Sequence, residues 1–341
     1  MKLSKTFQYR NVWLGTAMLL IALFHSGFSF PSPILSTLKE LAYFGVDICL
    51  FASGIGCYHS LEKDPNPLGF LKRRAKRLYP TYLCFIIPWL LYKVCTGPLP
   101  VSAIPGNLLG VQSLISWEYH FNWYISCLVV FYLLAPYLKQ ITDTAQSICS
   151  DLLVLLLLVL CSVPFWNQDH LIVLAARLPI FYLGMVYAKH ALQGTELTAN
   201  SRLLHFLAAL AGGLALLLFF RWFPSRIWSH GLCWYPFLLI VPGLCMLLSR
   251  LAAIAEQYAG TRWINRLLGV IGNYSFEVYL VHDFLYETLM VTVSRELSMI
   301  PNNLLWVCTI PVVVIGCFLL NRIAKLLLSF LSGLAAKCGS R

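Results

Sequence analysis

The sequence predicts an all-α integral membrane protein, a bundle of about ten transmembrane helices with N- and C-termini in the cytoplasm. Three observations carry that prediction. The 341 residues are 59% hydrophobic and 11% charged, with a mean hydropathy of +0.74, far from the roughly 25% charged residues of soluble domains. Runs such as Leu152 to Cys161, Leu203 to Phe220 and Leu304 to Leu320 are long and nearly free of charge, as helices crossing about 30 Å of hydrocarbon require. Strict alternation of polar and apolar residues is missing, which excludes a barrel.

The candidate spans cover residues 11–30, 39–59, 78–95, 122–138, 150–166, 170–188, 203–221, 232–249, 267–290 and 303–321. The first follows Lys2, Lys5 and Arg10 and carries His25 near its far end. It reads as an uncleaved anchor, because the apolar run is long and no small-x-small site precedes the PSP turn. The second contains Asp47 in FGVDICLFASG, and the third begins behind the basic stretch LKRRAKRLYP. The fourth opens with FNWYISC, the fifth is almost wholly aliphatic, and the sixth carries Arg177 in AARLPIFYLGM. The seventh and eighth are apolar. The ninth holds GNYSFEVYLVHDF, with Gly269, Gly272 and Asn273 placed to interrupt it, and the tenth closes the set. Links are short and rich in Pro, Gly or Asn. Residues 1–341 therefore read as one transmembrane domain with no separate soluble domain.

The net charge of +11 has a topological reading. On a ten-span chain the basic residues gather at the N-terminus, the even-numbered loops and the C-terminus, leaving Lys39, Arg221, Arg226 and Arg295 on the opposite side. That asymmetry puts the termini in the cytoplasm and makes membrane lipid, not nucleic acid, the partner of the charge. The 12 cysteines are scattered singly and read as small apolar fillers.

Ionisable residues within spans are costly and point to function. At about 1.5 Å of rise per residue, His25, Asp47, Arg177 and His282 fall in one layer, with Asp283 beside His282 and Glu287 one turn on. Each alone has an ordinary structural reading: a satisfied core histidine, an Asp47–Arg177 neutralising pair, packing tyrosines at 274, 279 and 286. Together they point to a water-lined site. The stretch from Leu71 to Pro80 has five basic residues in six. It satisfies topology and binds lipid heads, or its Arg73, Arg74 and Arg77 hold a phosphorylated cofactor bidentately.

The order of an apolar first span ending in His25, GVDICLFASG, RRAKRLYP, FNWYISCLVVFYLLAP, RLPIFYLGM and GNYSFEVYLVH resembles the acyltransferase-3 family. These are ten-span bacterial membrane proteins that O-acylate extracytoplasmic glycans with acyl-CoA. The resemblance covers nearly the whole chain. It implies a catalytic His25, an acidic-to-Ser-Gly motif at Asp47, Ser53 and Gly54, and an Arg motif at Arg73, Arg74, Arg77 and Pro80. It further implies a Trp-Tyr pair at Trp123 and Tyr124, a pattern at Arg177 and Gly184, and another at Ser275, Tyr279 and His282. Many members carry an Arg eleven residues before the histidine, where this chain has Leu14. The nearest substitute is Arg10, about 60° round the helix and one turn further from the histidine.

The function expected from these residues is O-acylation, by default O-acetylation, in the inner (cytoplasmic) membrane of a bacterial cell envelope. Acetyl-CoA or another acyl-CoA docks on Arg73, Arg74, Arg77 and Arg10, with no metal expected. Neutral His25 acts as general base on an acceptor hydroxyl, and Asp47 orients it or stabilises its protonated form. Arg177, Tyr279 or His282 stabilises the oxyanion, and Ser53 is the second choice as an acyl-carrying nucleophile. Trp123, Tyr124 and Glu277 are the candidate contacts for a glycan or polysaccharide acceptor. The oligomeric state is open, a homo-oligomer included. The rival reading is a secondary transporter that uses the same His/Asp/Arg layer, and a third is an inactive relative serving as a partner subunit.

Overall fold

The computed structural model describes residues 2–97, 99–118, 120–121, 123–286, 290 and 302–338, with side chains to 330 in the last helix. Glu287 and Arg295 lie outside the described residues. After a short 3-10 helix, α1 (Arg10–His25), α2 (Pro33–Leu41), α3 (Gly45–Lys63) and α4 (Pro67–Thr96) follow. The link to the next long helix holds two short pieces, α5 (Ala103–Leu108) and α6 (Gln112–Ile115). Then come α7 (Trp123–Thr144), α8 (Ile148–Leu160), α9 (Asp169–Ala175), α10 (Leu178–Leu192), α11 (Ala199–Trp222) and α12 (Phe237–Gln257). The described part closes with α13 (Arg262–Asn273), α14 (Ser275–Phe284) and α15 (Asn302–Cys338).

Among the described residues, eight helical stretches are long and apolar enough to cross a membrane. The first expected span is instead a 16-residue helix, α1. The ninth is divided into α13 and α14 on either side of Tyr274, just after Gly269, Gly272 and Asn273. The sixth is also divided, because Pro179 lacks the N–H that would continue α9 into α10. Arg177 stands at that break, at the N-cap of α10.

Helix α3 forms the centre: the most apolar window of the α2–α3 stretch is 83% buried although α2 itself buries no residue, whereas the windows of α8 and α11 are 11% buried and face outward. Helices that are apolar all round suit a lipid surface. The centre is assembled by close backbone crossings. A Cβ on Gly54 would lie 2.0 Å from the Phe181 carbonyl oxygen, and one on Gly184 would lie 2.2 Å from that of Phe51, so α3 and α10 touch through paired glycines. Gly15 and Gly272 do the same for α1 and α13, at 2.0 Å from Leu268 O and 1.9 Å from Asn11 O. Without hydrophobic drive inside lipid, such small-residue contacts let backbones approach and gain dispersion energy. Polar ties add to them. Trp13 Nε1 donates to Ser249 Oγ at 2.9 Å, and Lys189 Nζ binds both carboxylate oxygens of Asp151 at 2.7 and 2.8 Å.

Candidate active site

His25 is the last residue of α1, and α14 places His282 against it with ring centroids 5.5 Å apart. His282 is fully buried. Its Nδ1 lies 2.7 Å from the Val278 carbonyl, so Nδ1 carries the proton that donates and Nε2 is left as the basic nitrogen of the neutral ring. Nitrogens of His25 and His282 and a carboxylate oxygen of Asp283 all lie within 4.8 Å of one another. This is the set that could hold a divalent metal among the described residues, and it is equally a cluster suited to proton transfer. Asp283 is therefore the carboxylate close to His25. Sequence reasoning had looked to Asp47 for that role.

Asp47 instead meets Arg177, whose Nε lies 3.4 Å from Asp47 Oδ1, both side chains being 3% exposed or less. The guanidinium is clamped between indoles, 4.5 Å from the Trp123 centroid and 4.6 Å from that of Trp234. Its Nη1 has no hydrogen-bond partner among the described residues. A buried donor held rigidly and left unmet is suited to an oxygen of a bound molecule. Arg177 lines a chamber of about 310 Å³ together with His25, Asp169, Trp117, Trp123, Trp228 and Trp234. The tryptophans come from the 97–121 link, α7 and the segment before α12, and the two in that last segment, Trp228 and Trp234, belong to no motif of the sequence.

A second cavity, about 290 Å³, is lined by Arg10, Arg74, Arg77 and Lys325 with Leu14, Ser53, Tyr124, Asn273 and Glu277. Leu14 thus faces the place where Arg10 reaches from the next turn. Arg10 Nε donates to Ala52 O at 3.2 Å. Arg74 Nη2 donates to Gly56 O at 2.7 Å and its plane stacks on Phe70 and Tyr132, leaving Nε without a partner among the described residues. Arg10, Arg74 and Arg77 also border an adjoining basic pocket of about 370 Å³ with Arg73, His59 and Lys63. Arg73 is bound to Asp64, whose carboxyl is held below the usual range by the Asn66 N–H and then by Arg73 itself. Ser53 Oγ lies 3.2 Å from Tyr132 Oη, and Glu277 accepts from Asn321 Nδ2 at 2.6 Å. Of the three expected acceptor contacts, Trp123 lines the aromatic chamber while Tyr124 and Glu277 line the basic cavity. Lys325 and Asn321 were missed because they arrive from the distant α15 and belong to no motif.

A file of rings joins the two spaces. Tyr124 lies 4.6 Å from Tyr279, Tyr279 lies 5.5 Å from His282, and His282 lies 5.5 Å from His25, centroid to centroid. Residues 11–322 match the family model of an acyltransferase domain, that of acyltransferase-3. The chain belongs to the acyltransferase-3 family. No curated protein and no solved structure matches it. As a member of this family, the chain is a multi-pass membrane acyltransferase.

Proposed function

We propose that this acyltransferase moves the acyl group of cytosolic acyl-CoA, acetyl being the smallest, to a hydroxyl of an extracytoplasmic glycan or cell-envelope polymer at the inner membrane. The supporting observation is the line of rings from the basic cavity to the aromatic chamber, with His25 at the chamber end. The phosphates of the donor pair with Arg74, Arg77, Arg10 and Lys325, since guanidinium groups bind phosphate oxygens bidentately. The pantetheine arm carries the thioester past Tyr124 toward His25. A sugar in the chamber stacks its ring on indole faces and turns a hydroxyl to His25.

His25 removes the hydroxyl proton as the oxygen attacks the thioester carbonyl. The developing oxyanion accepts from Arg177 Nη1, a donor already oriented by its two indoles and by Asp47. Collapse breaks the carbon–sulfur bond, and the proton held on His25 passes to the departing thiolate, regenerating the neutral base. Asp283 and His282 keep the imidazole in position and stabilise its charged form. The direct test is purified protein in proteoliposomes with labelled acetyl-CoA inside and envelope glycan outside. Label in the glycan that depends on His25 supports the reading; equal transfer by His25→Ala overturns it.

A further inference from the structure

The aromatic chamber carries a carboxylate that the transfer chemistry leaves unused. Asp169, the first residue of α9, lines the chamber and is exposed. An acidic residue in the first turn of a helix is ordinary. Its setting is less so, because among the described residues no cation pairs with Asp169. The guanidinium of the chamber, Arg177, is already balanced by Asp47, whose Oδ1 lies 3.4 Å from Arg177 Nε. A carboxylate oxygen of Asp283 lies within 4.8 Å of a His25 nitrogen. The chamber therefore has a surplus of negative charge. In the basic cavity the balance is the reverse, with Arg10, Arg74, Arg77 and Lys325 set against Glu277.

The chamber is polar at its two ends and aromatic between them. Helix α9 rises about 9 Å from Asp169 to Ala175, and Arg177 follows two residues on. Arg177 covers one face each of Trp123 and Trp234. The indoles with area to offer are then Trp117 and Trp228, which are 43% and 47% exposed. Trp234 Nε1 is buried and unmet among the described residues, a second donor beside the Arg177 Nη1 assigned to the oxyanion. These groups complement an uncharged sugar ring: its faces meet indole, one hydroxyl oxygen accepts from Trp234 Nε1, and hydroxyl hydrogens donate to Asp169. We infer that Asp169 is a specificity-determining residue, which makes the acceptor an uncharged sugar and rejects uronic-acid glycans. A uronate would bring its carboxylate into a space already negative, where the guanidinium is committed to Asp47. This rests on the proposal that a glycan occupies the chamber.

The experiment is equilibrium binding of matched tetrasaccharide pairs to the full chain in nanodiscs. The pairs have gluco, galacto and manno configuration, and the two members of each differ only at C6, a hydroxymethyl group in one and a carboxylate in the other. A neutral member is expected to bind about tenfold or more tighter than its uronate partner, the worth of a charge-assisted hydrogen bond. Asp169→Asn is expected to collapse that ratio toward one, by weakening the neutral sugar and admitting the uronate; Asp169→Ser provides the same readout if the first variant fails to fold. Uronates that bind as tightly as their neutral partners, or more tightly, overturn the Asp169 assignment while leaving the proposed function standing. A preference for neutral sugar that survives both substitutions also overturns it, because another group then selects the acceptor. If no tetrasaccharide of any pair binds, the reading of the chamber as a glycan site fails, and the role of Asp169 with it.

Discussion

The imidazoles of His25 and His282 meet at 5.5 Å between centroids and 73° between planes, although 257 positions separate them in the chain. One ring comes from the end of α1 and the other from α14, so the base and its neighbour exist only in the folded bundle. His25→Ala is expected to lower acyl transfer by about 100- to 10,000-fold. His282→Gln, which keeps a polar terminus in the buried site, should lose less than His282→Leu. Single-turnover rates measure both, and equal losses in the two His282 variants would show that ring packing alone is required.

Chelation addresses the same cluster. With His25 acting as a base, dialysis against EDTA should leave transfer intact. Activity that is lost on chelation and restored by zinc would instead make His25, His282 and Asp283 ligands, and metal analysis of the purified protein provides the independent reading.

The Asp47–Arg177 pair is buried inside the bundle, so removing one partner strands the other. Asp47→Asn is expected to destabilise by about 3–5 kcal/mol, more than the double variant Asp47→Asn/Arg177→Met. Denaturant unfolding in detergent measures this. Arg177→Lys should cut kcat while retaining charge, because ammonium cannot lie flat between Trp123 and Trp234.

Arg74 and Arg77 line the basic cavity, whereas Arg73 is occupied by Asp64. Arg74→Gln and Arg77→Gln are each expected to raise the KM for acyl-CoA about tenfold or more, the worth of a charge-assisted hydrogen bond. Arg73→Gln should raise it only a few-fold. Initial rates against donor concentration separate the three, and an Arg73 effect equal to the others would reassign the phosphate site to the outer basic pocket.

Gly54 and Gly184 set the spacing of α3 and α10, and the helix carrying Asp47 is one of the two. Gly54→Val forces a backbone clash and is expected to cost about 3 kcal/mol or more and to lower folded yield. Gly213, with nothing within 4 Å of an added Cβ, is the control: Gly213→Ala should be neutral or slightly stabilising. Thermal unfolding of the two variants side by side tests the assignment.

Much of this site was legible in the chain. His25, Asp47, Arg177 and His282 stood out because ionisable groups in apolar runs are rare, and depth along a helix follows from residue number. The Asp47–Arg177 pair was one of the readings the sequence offered, and the fold forms it. The neighbours of His25 were not legible: depth supplies one coordinate, while rotation and crossing angle supply the others, so the sequence suggested Asp47 beside His25 where the fold sets Asp283 near the histidines. Trp228 and Trp234 of the chamber and Lys325 of the cavity went unmarked for a related reason: they sit at positions where aromatic or basic residues are ordinary, and only convergence makes them a site.

By itself the sequence determined a helical membrane protein, since lipid offers backbone groups no partner other than their own helix, and motif order determined the family. The tertiary structure alone decided that the first expected span is a short helix, while the break in the ninth falls just after the Gly269, Gly272 and Asn273 that the sequence offered for it. It also decided which buried charges meet and that rings connect a basic cavity to an aromatic chamber. Those outcomes depend on how closely helices approach, which is set by contacts such as Gly54 on Phe181 and Gly272 on Asn11 between segments far apart in the chain.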